Sequence, residues 1–578
     1  MNNENQNLET AYEMDVLQNP GKSLGELLIE ANLITRRQLE SALDIQQTQG
    51  RKLGEILVAQ RFITPEDLTA ILSVQINVPF IDLKRHTLQP QILSRVSEWM
   101  ARKYNAVPLD IVDESLIMVM ADPEDTQAIN DLTAHTGMQI QPAIGISGDI
   151  REAIDLNYQA KGEIEREVQR LVPSYEVNRS VETILSVDTA KNAPIIRTVE
   201  LFMNQAVKGR ASDIHFEPQK DRLRIRYRID GILHEFMSLP MEVHPALVSR
   251  IKILAGMNIA EQRQPQDGQI SYTVDDREID IRVATVDSAY GEMVVLRILD
   301  KSRSLLELGQ LGFLEDDLQK YKKMLATPYG LILSAGPTGS GKTTTLYASI
   351  NELDRKQRNI VTIEDPIEYY FDDINQIQVN MKAGITFASG LRAMMRLDPD
   401  IVLVGEMRDE DTANTGVQAA LTGHLVLSSI HVNDAVNAFP RLVHLGIEPF
   451  YSSSALVGVV AQRMVRRVCP HCRTTADIPT AENDVYERIT GERLREYQYG
   501  TGCNFCGNTG FLGRIGVFEI LEVNEQLRQM VTDGASTQEI RVQAMNAGMT
   551  PMIVDGMKKI NEGITTPSEV IRTVVSVE

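Results

Sequence analysis

Apolar residues recur with two spacings along this chain, and the change of spacing separates predicted helices from predicted sheets. Between residues 21 and 80 the apolar residues lie at positions i and i+4, which places them on one face of a helix. The run Leu223–Asp230 alternates strictly between apolar and charged residues, as a half-buried strand does. Continuous apolar runs such as Ile401–Val404 are typical of buried strands in a parallel sheet. The pattern predicts a multidomain α/β protein with a helical beginning.

The helical part contains an internal repeat. Leu24-Gly25-Glu26 and Ile34-Thr35 recur 29 positions later as Leu53-Gly54-Glu55 and Ile63-Thr64. Each copy predicts two short helices, in which the threonines are N-caps and Pro65 occupies a first helical position. A pair of helical hairpins with a common core would by itself explain the repeated leucines.

Changes of composition predict the boundaries between segments. The expected segments are a disordered tail (1–20), an N-terminal domain (21–158), a linker (159–194), an arginine-bearing α+β domain (195–305) and a nucleotide domain (306–578). The only tryptophan, Trp99, falls in the N-terminal domain, and we expect it in the core.

A glycine-rich stretch after a short apolar strand is the clearest chemical motif. Residues 336–343 read G-x-x-x-x-G-K-T, and the following segment can continue as a helix. The glycines allow successive N–H groups to face phosphates, and the helix N-terminus adds its positive end. Lys342 is expected at the β- and γ-phosphates and Thr343 at Mg²⁺. The residues predicted to hold the nucleotide are Gly336, Pro337, Thr338, Gly339, Ser340, Gly341, Lys342, Thr343 and Thr344.

Three later strand-type runs end beside residues suited to catalysis. Glu364 ends one strand within an Ile-Glu-Asp-Pro-Ile-Glu box, and Glu406 follows another. Carboxylates at the carboxyl ends of strands near a phosphate loop are placed to hold Mg²⁺ or orient water. Gly405 stands where an acid usually precedes Glu406, so one carboxylate must serve there. His424 and His431 flank a third strand, where γ-phosphate sensing, a subunit contact and a structural role are the alternatives.

Arginines recur at strand spacing in the preceding domain. They occupy one face of Leu223–Asp230, and Arg282 and Arg297 lie in two further strand-type runs. This basic face is either a solvated surface or a surface that meets a triphosphate from the side.

The four cysteines form two C-x-x-C pairs, Cys469 with Cys472 and Cys503 with Cys506. Two such knuckles make a tetrahedral Cys₄ site with no open position, which predicts a structural zinc in an insert over residues 465–515. Two redox pairs or plain buried thiols are the alternatives.

Net charge limits the possible partners. The chain carries a formal charge of −21, which argues against a general nucleic-acid or anionic-membrane binder. We see neither an apolar run of membrane-span length nor a secretory signal, so we expect a cytoplasmic protein that is not itself inserted into the membrane.

The phosphate loop, the two acidic boxes, the Thr-Gly-His box and the Ser-Asp-Ile-His box occur in one order, from Ser212 to His431. Together they resemble the ATPases of type II secretion and type IV pilus assembly. The resemblance implies a RecA-like core, a preceding PAS-like α+β domain, a zinc ribbon-like insert and a homohexamer. It also implies that Glu406 is the catalytic glutamate and that Arg282 and Arg297 reach the nucleotide, often across a subunit boundary.

The repeat resembles the tandem motif in the N-terminal domain of the same ATPases, where some members bind cyclic di-GMP. The usual arginine before Leu-Gly is Ser23 in the first copy and Lys52 in the second, and the usual turn glycine is Asn32 and Arg61. The sequence leaves open whether the repeat binds cyclic di-GMP or is a docking module.

The resemblance implies an ATP hydrolase that requires Mg²⁺ and drives pilin polymerisation in pilus extension through an inner-membrane platform protein. Pseudopilus assembly in type II secretion is the alternative. A DNA-processing ATPase fits the acidic charge poorly, and a non-catalytic scaffold fits the retained Lys342, Thr343 and Glu406 poorly.

Overall fold

The computed structural model describes residues 23–574 except 50–51, 84–85, 87, 89, 94, 113, 159–163, 165–166, 169–192, 275–276, 301–305 and 504. The predicted tail and most of the predicted linker lie outside the described residues. Two compact units make up the chain: Met1–Ala160 with Gly502–Thr509, and Lys161–Thr501 with Gly510–Glu578. Both contain helices and sheets, which confirms the multidomain α/β class.

The repeat forms four helices with one small core. They are α1 (Leu24–Glu30), α2 (Arg36–Gln49), α3 (Leu53–Ala59) and α4 (Pro65–Ile76). Thr35 and Thr64 accept hydrogen bonds from the backbone N–H of Gln38 and Asp67, which confirms both predicted N-caps. The core residues are Leu28, Ile34, Ala42, Ile56, Leu57 and Ile63.

The repeated glycines explain how closely these helices approach. A Cβ at Gly25 would lie 2.8 Å from Leu39 Cδ1, and a Cβ at Gly54 would lie 2.7 Å from Leu68 Cδ1. Each Leu-Gly pair therefore brings the first helix of a copy against a leucine of the second helix.

The remainder of the first unit is a small α/β fold. Its elements are α5 (Pro90–Leu93), α6 (Glu98–Tyr104), β1 (Ala106–Val112), β2 (Ser115–Met120), α7 (Thr126–Thr136), β3 (Gln139–Ile144) and α8 (Ser147–Asn157). The strands lie in the order β1-β2-β3, with β1 antiparallel and β3 parallel to β2.

The prediction that Trp99 belongs to the core is wrong. Its side chain is 66% exposed, whereas Met100 and Ala101 of the same helix are buried. Successive helical residues point about 100° apart, so the face that buries those two residues turns Trp99 to solvent. The Lys103 ammonium lies 4.9 Å from its ring centroid.

The second unit begins with an antiparallel sheet that carries the arginines. Its elements are α9 (Ala193–Lys208), β4 (Asp213–Pro218), β5 (Arg222–Ile229), β6 (Ile232–Pro240), α10 (His244–Leu254), β7 (Gln266–Val274), β8 (Arg277–Ser288) and β9 (Gly291–Asp300). The strands lie in the order β6-β5-β4-β9-β8-β7. Asp230 and Gly231 both have positive φ, so the predicted Asp-Gly hairpin turn is confirmed.

The nucleotide domain is built on a seven-stranded sheet in the order β12-β11-β13-β14-β10-β15-β18. Its strands are β10 (Gly330–Ala335), β11 (Ile360–Glu364), β12 (Asn375–Gln378), β13 (Ile401–Val404), β14 (Leu425–Ile430), β15 (Leu456–Val468) and β18 (Phe511–Glu522). Every neighbouring pair is parallel except β15 with β18. Leu331 and Leu333 enter a different core cluster from Ile332 between them, so β10 is buried on both faces.

Helices cover this sheet and form the C-terminal region. They are α11 (Glu315–Leu325), α12 (Lys342–Glu352), α13 (Phe387–Met394), α14 (Glu410–Leu421), α15 (Ala438–His444), α16 (Pro449–Ala455), α17 (Thr480–Thr490), α18 (Glu525–Thr532), α19 (Thr537–Asn546), α20 (Met552–Asn561) and α21 (Pro567–Val574). A hairpin of β16 (Arg473–Asp477) and β17 (Glu496–Gly500) flanks α17. Among the described residues, no helix combines the length and apolarity needed to cross a membrane.

Candidate nucleotide and metal sites

The phosphate loop connects β10 to α12, and its glycines are required by the backbone. Gly336, Gly339 and Gly341 have φ of +153°, +78° and +91°. A Cβ at Gly336 would lie 2.4 Å from Ser340 Oγ and 2.7 Å from the Gln462 carbonyl oxygen. Glycine is therefore needed here for conformation and for space.

Lys342 is held over this loop. Its Nζ donates to the carbonyl oxygens of Gly336 and Pro337, both at 2.9 Å. Burial lowers the pKa of Lys342 to about 8, although nearby Glu406 raises it, and Arg463 lowers it further. Ser340 Oγ is also buried and has no hydrogen-bond partner within the described part of the chain. The lysine donates to backbone carbonyls and to no carboxylate in the described contacts, and the serine hydroxyl is unpaired. Both observations fit a site for a phosphate group.

Gln462 supports the loop from the adjacent strand, β15. Its Nε2 donates to the Ser340 carbonyl at 2.7 Å, and its Oε1 accepts from Thr345 Oγ1 at 2.8 Å. The side chain is 1% exposed. Sequence reasoning missed this residue, and the signal that could have found it is a single amide directly after the apolar run from residue 456 to residue 461.

The parallel sheet gathers the predicted catalytic residues at one edge. The phosphate loop, Glu364, Glu406 and His431 come from the carboxyl ends of β10, β11, β13 and β14, which are parallel to one another. The structure therefore brings these strand ends together, whereas the catalytic role of each residue stays a prediction.

Glu406 is oriented by two neighbours. Arg408 Nε lies 2.6 Å from Oε1, and His431 Nε2 lies 3.5 Å from Oε2. Burial lowers the pKa of His431 and Lys342 lowers it further, while Glu406 opposes both effects. The imidazole is therefore biased towards its neutral form beside the carboxylate.

Glu364 lies deeper and is already bonded. It is 4% exposed and accepts from Tyr347 Oη, from Thr362 Oγ1 at 2.6 Å and from Gln376 Nε2 at 3.1 Å. A carboxylate offers about four acceptor positions, and three are engaged here. The geometry connects Glu364 to α12 through Tyr347, and its predicted role at Mg²⁺ or water stays a prediction.

The structure does not bring His424 to this site. It precedes β14, whereas His431 follows it, and six strand residues separate them by roughly 20 Å. His424 Nδ1 lies 3.0 Å from the Ala419 carbonyl oxygen. Within one protomer, the γ-phosphate-sensing alternative is therefore wrong for His424, and a subunit contact stays a prediction.

The basic face of the antiparallel sheet is paired with acids. Glu217 binds both Arg224 Nη2 at 2.8 Å and Arg226 Nη2 at 2.5 Å. Burial favours the neutral acid, but the hydrogen bonds and charges of the two arginines outweigh it and lower the pKa of Glu217. The alternative of a solvated basic surface is therefore wrong for Arg224 and Arg226.

The two arginines assigned to the nucleotide face each other across β8 and β9. Arg297 is 61% exposed and its Nε lies 3.1 Å from Asp213 Oδ1. Arg282 Nη2 donates to the carbonyl of Ile367 in the first acidic box at 3.5 Å. Arg282 thus reaches the nucleotide domain of its own chain, and contact of either arginine with a nucleotide stays a prediction.

The four cysteines come together. One sulfur from each lies within 4.8 Å of the others, and none is in a disulfide. The Cys503 N–H lies 3.2 Å from Cys506 Sγ, and the two sulfurs are 3.7 Å apart. Tetrahedral ligands at about 2.3 Å from zinc lie a little under 4 Å from one another. The donor set therefore fits zinc.

Comparisons with known proteins cover most of the chain. A family model described as Type II/IV secretion system protein matches residues 188–572, and one described as MshEN domain matches residues 76–164. The Type IV pilus assembly ATPase PilB of Myxococcus xanthus is 40% identical over 556 residues, covering 95% of this chain and 98% of that protein. The Type II secretion system protein E of Xanthomonas campestris is 39% identical over 506 residues, covering 86% and 88%. The solved structure of the pilus retraction motor PilT with bound ADP is 25% identical, covers 66% of this chain and 97% of that one, and has a TM-score of 0.44.

Proposed function

The chain belongs to the Type II/IV secretion system protein family, and from that premise we propose that it is a hexameric ATPase that powers extension of a type IV pilus. The observation that carries the proposal is the meeting of the Lys342 phosphate loop with Glu406 and His431 at one edge of the parallel sheet. This edge is where α/β sheets bind nucleotides.

Hydrolysis needs cations that hold phosphate charge and a group that orients the attacking water. Lys342 is the proposed cation at the β- and γ-phosphates. Glu406 is the proposed orienting group, since Arg408 and His431 fix its two oxygens. Mg²⁺, when bound, would neutralise phosphate charge, and Thr343 is the residue assigned to it.

Movement would arise because the arginines and the phosphate loop lie on different sheets. Arg282 already contacts the acidic box, so nucleotide binding would draw the two sheets together and product release would let them separate. In the proposed machine this motion passes to an inner-membrane platform protein and then indirectly to pilin. The protein would act at the cytoplasmic face of that membrane.

Type II secretion is the second candidate. It is favoured by the 39% identity to a Type II secretion system protein E. Pilus assembly is placed first because the pilus assembly relative matches 95% of this chain, including the region of the tandem repeat.

Lys342→Ala tests the site. We expect it to abolish ATP turnover, while Lys323→Ala, at a 75% exposed side chain, leaves turnover unchanged. Near-normal turnover in Lys342→Ala would overturn the assignment. In a strain lacking the protein, the Lys342→Ala variant should also fail to restore surface pili. If that strain still has surface pili but does not secrete proteins, the second candidate is favoured.

Regulation by cyclic di-GMP is the remaining part of the proposal. Asn32 and Arg61, at the turn positions, have φ of +56° and +58°, so the left-handed turn persists without glycine. Calorimetry with cyclic di-GMP on the full chain tests the repeat. Micromolar or tighter binding would make it a second-messenger sensor, and no binding would leave it as a docking module.

A further inference from the structure

We propose that the C-terminal helices position His431 through Arg541, Asp434 and Glu519, which together hold the segment that follows this histidine. The inference rests on the proposed function, because it takes His431 to act beside Glu406. The sequence showed no chemistry in the C-terminal helices. The structure connects them to residues 431–435, which lie between β14 and α15.

Asp434 is the first point of attachment. Its Oδ2 lies 2.9 Å from Arg541 Nη2 of α19 and accepts from Asn437 Nδ2 at 2.6 Å. Its Oδ1 accepts from the Asn437 backbone N–H at 2.9 Å. The aspartate thus joins its own turn to a helix more than a hundred residues later in the chain.

Glu519 of β18 is the second point of attachment. It is 2% exposed, and its Oε1 accepts from the Ala435 N–H at 2.9 Å. Its Oε2 accepts from the Met552 N–H at 3.3 Å and lies 3.9 Å from Arg541 Nη1. One buried carboxylate therefore contacts the segment after His431, α19 and the start of α20.

A third contact comes from the strand beside the phosphate loop. Arg463 Nη2 donates to Asn433 Oδ1 at 3.1 Å. Asn433, Asp434 and Ala435 are therefore each held by a different element, namely β15, α19 and β18. These side-chain contacts hold the irregular backbone of this segment in a fixed position relative to the sheet.

The distance between His431 and Glu406 makes their contact sensitive to the position of this segment. At 3.5 Å the contact lies at the outer limit of hydrogen bonding, so a small displacement of the segment separates the two groups. Displacements of about 1 Å around a reacting centre lower rates by up to about a hundredfold. Arg541 is consequently a positioning residue: it contacts neither the loop nor Glu406 in the described structure, and it acts through Asp434.

Arg541→Ala is the test, in single-turnover and steady-state ATPase assays on the full chain. We expect kcat to fall about tenfold with KM for ATP changed less than about twofold, because the phosphate loop is untouched. Arg541→Lys should restore part of kcat, since its ammonium can still meet Asp434. Arg528→Ala, which removes an exposed ion pair with Glu525 on α18, is the matched control and should leave kcat unchanged.

The decisive comparison measures the effect of Arg541→Ala in a protein that already carries His431→Ala. If Arg541 acts through His431, Arg541→Ala produces no further loss of single-turnover rate in that background. An unchanged kcat in Arg541→Ala, or a full additional loss on top of His431→Ala, would overturn the inference. Asp434→Asn keeps one oxygen that can accept from the Asn437 backbone N–H but removes the charge that pairs with Arg541, and it must reproduce the kcat loss if Arg541→Ala fails to fold. Full activity in His431→Ala would instead refute the proposed role of the histidine itself.

Discussion

Replacing Gln462 with methionine tests whether the phosphate loop depends on a side chain from the neighbouring strand. Methionine has a similar length and volume, so the replacement removes hydrogen bonds without opening a cavity. It would leave the Ser340 carbonyl without its 2.7 Å donor and the Thr345 hydroxyl without its 2.8 Å acceptor. Gln462 is 1% exposed, so water does not take its place.

The size of the effect follows from these two groups. A buried polar group left unpaired costs about 1–3 kcal/mol, which gives about 2–6 kcal/mol for the pair. The loop would relax to recover part of this cost, but ATP binding needs the original conformation. If relaxation of the loop lowers the free energy of the ATP-free protein by only about 1.4 kcal/mol, ATP binding must supply that energy again, and the affinity falls tenfold. We therefore expect the Kd for ATP to rise at least tenfold.

Calorimetric titration with ATP measures this Kd. Gln319→Met, at an exposed glutamine that donates to Glu315 on α11, is the control and should bind like the original protein. Thr345→Val removes one of the same hydrogen bonds, so its effect and that of Gln462→Met should be less than additive. A Kd for Gln462→Met within about twofold of the original value would refute the reasoning, since it would mean the loop keeps its conformation unaided.

Three further outcomes are expected. At pH 8 about half of the Lys342 side chains are neutral in the protein without ATP, and phosphate binding favours the charged form. ATP binding should therefore take up about half a proton, measured by calorimetry in buffers of different ionisation enthalpy. A binding enthalpy that does not depend on the buffer would contradict this. Cys503→Ser should reduce bound zinc, measured by mass spectrometry, from one per chain to near zero, because three thiolates leave the tetrahedral set incomplete. Arg61→Gly should stabilise the end of α3 by about 0.5–1 kcal/mol in hydrogen exchange, because Arg61, whose N–H donates to the Val58 carbonyl, has a φ of +58° that glycine adopts without Cβ strain; an unchanged or faster exchange would contradict it.

Motifs whose chemistry depends on nearby residues could be predicted from the sequence. The spacing of Gly336, Gly341 and Lys342 prescribes a turn and a helix start, and both are present. The C-x-x-C pairs likewise prescribe two knuckles with thiolates on one side. Such motifs are readable because local backbone geometry alone sets their form.

Assignments that needed the surroundings of a residue were less secure. Trp99 was expected in the core, but Met100 and Ala101 set the face of its helix that packs. His424 and His431 look equivalent in sequence, yet the direction of β14 sends them to opposite edges of the sheet. For the basic face of β5 the sequence left a solvated surface and a triphosphate-facing surface as alternatives, and the acids of β4 opposite it are visible only in the strand register.

The family resemblance, the order of the motifs, the phosphate loop and the four-cysteine cluster could be read from the sequence, because each depends on residue types at short, fixed spacings. The contact of Gln462 with the loop and the contact of Arg541 with the segment after His431 follow from three-dimensional packing alone. These contacts join residues more than a hundred positions apart. They arise where strand order and helix packing bring distant side chains together, and no local spacing encodes that meeting.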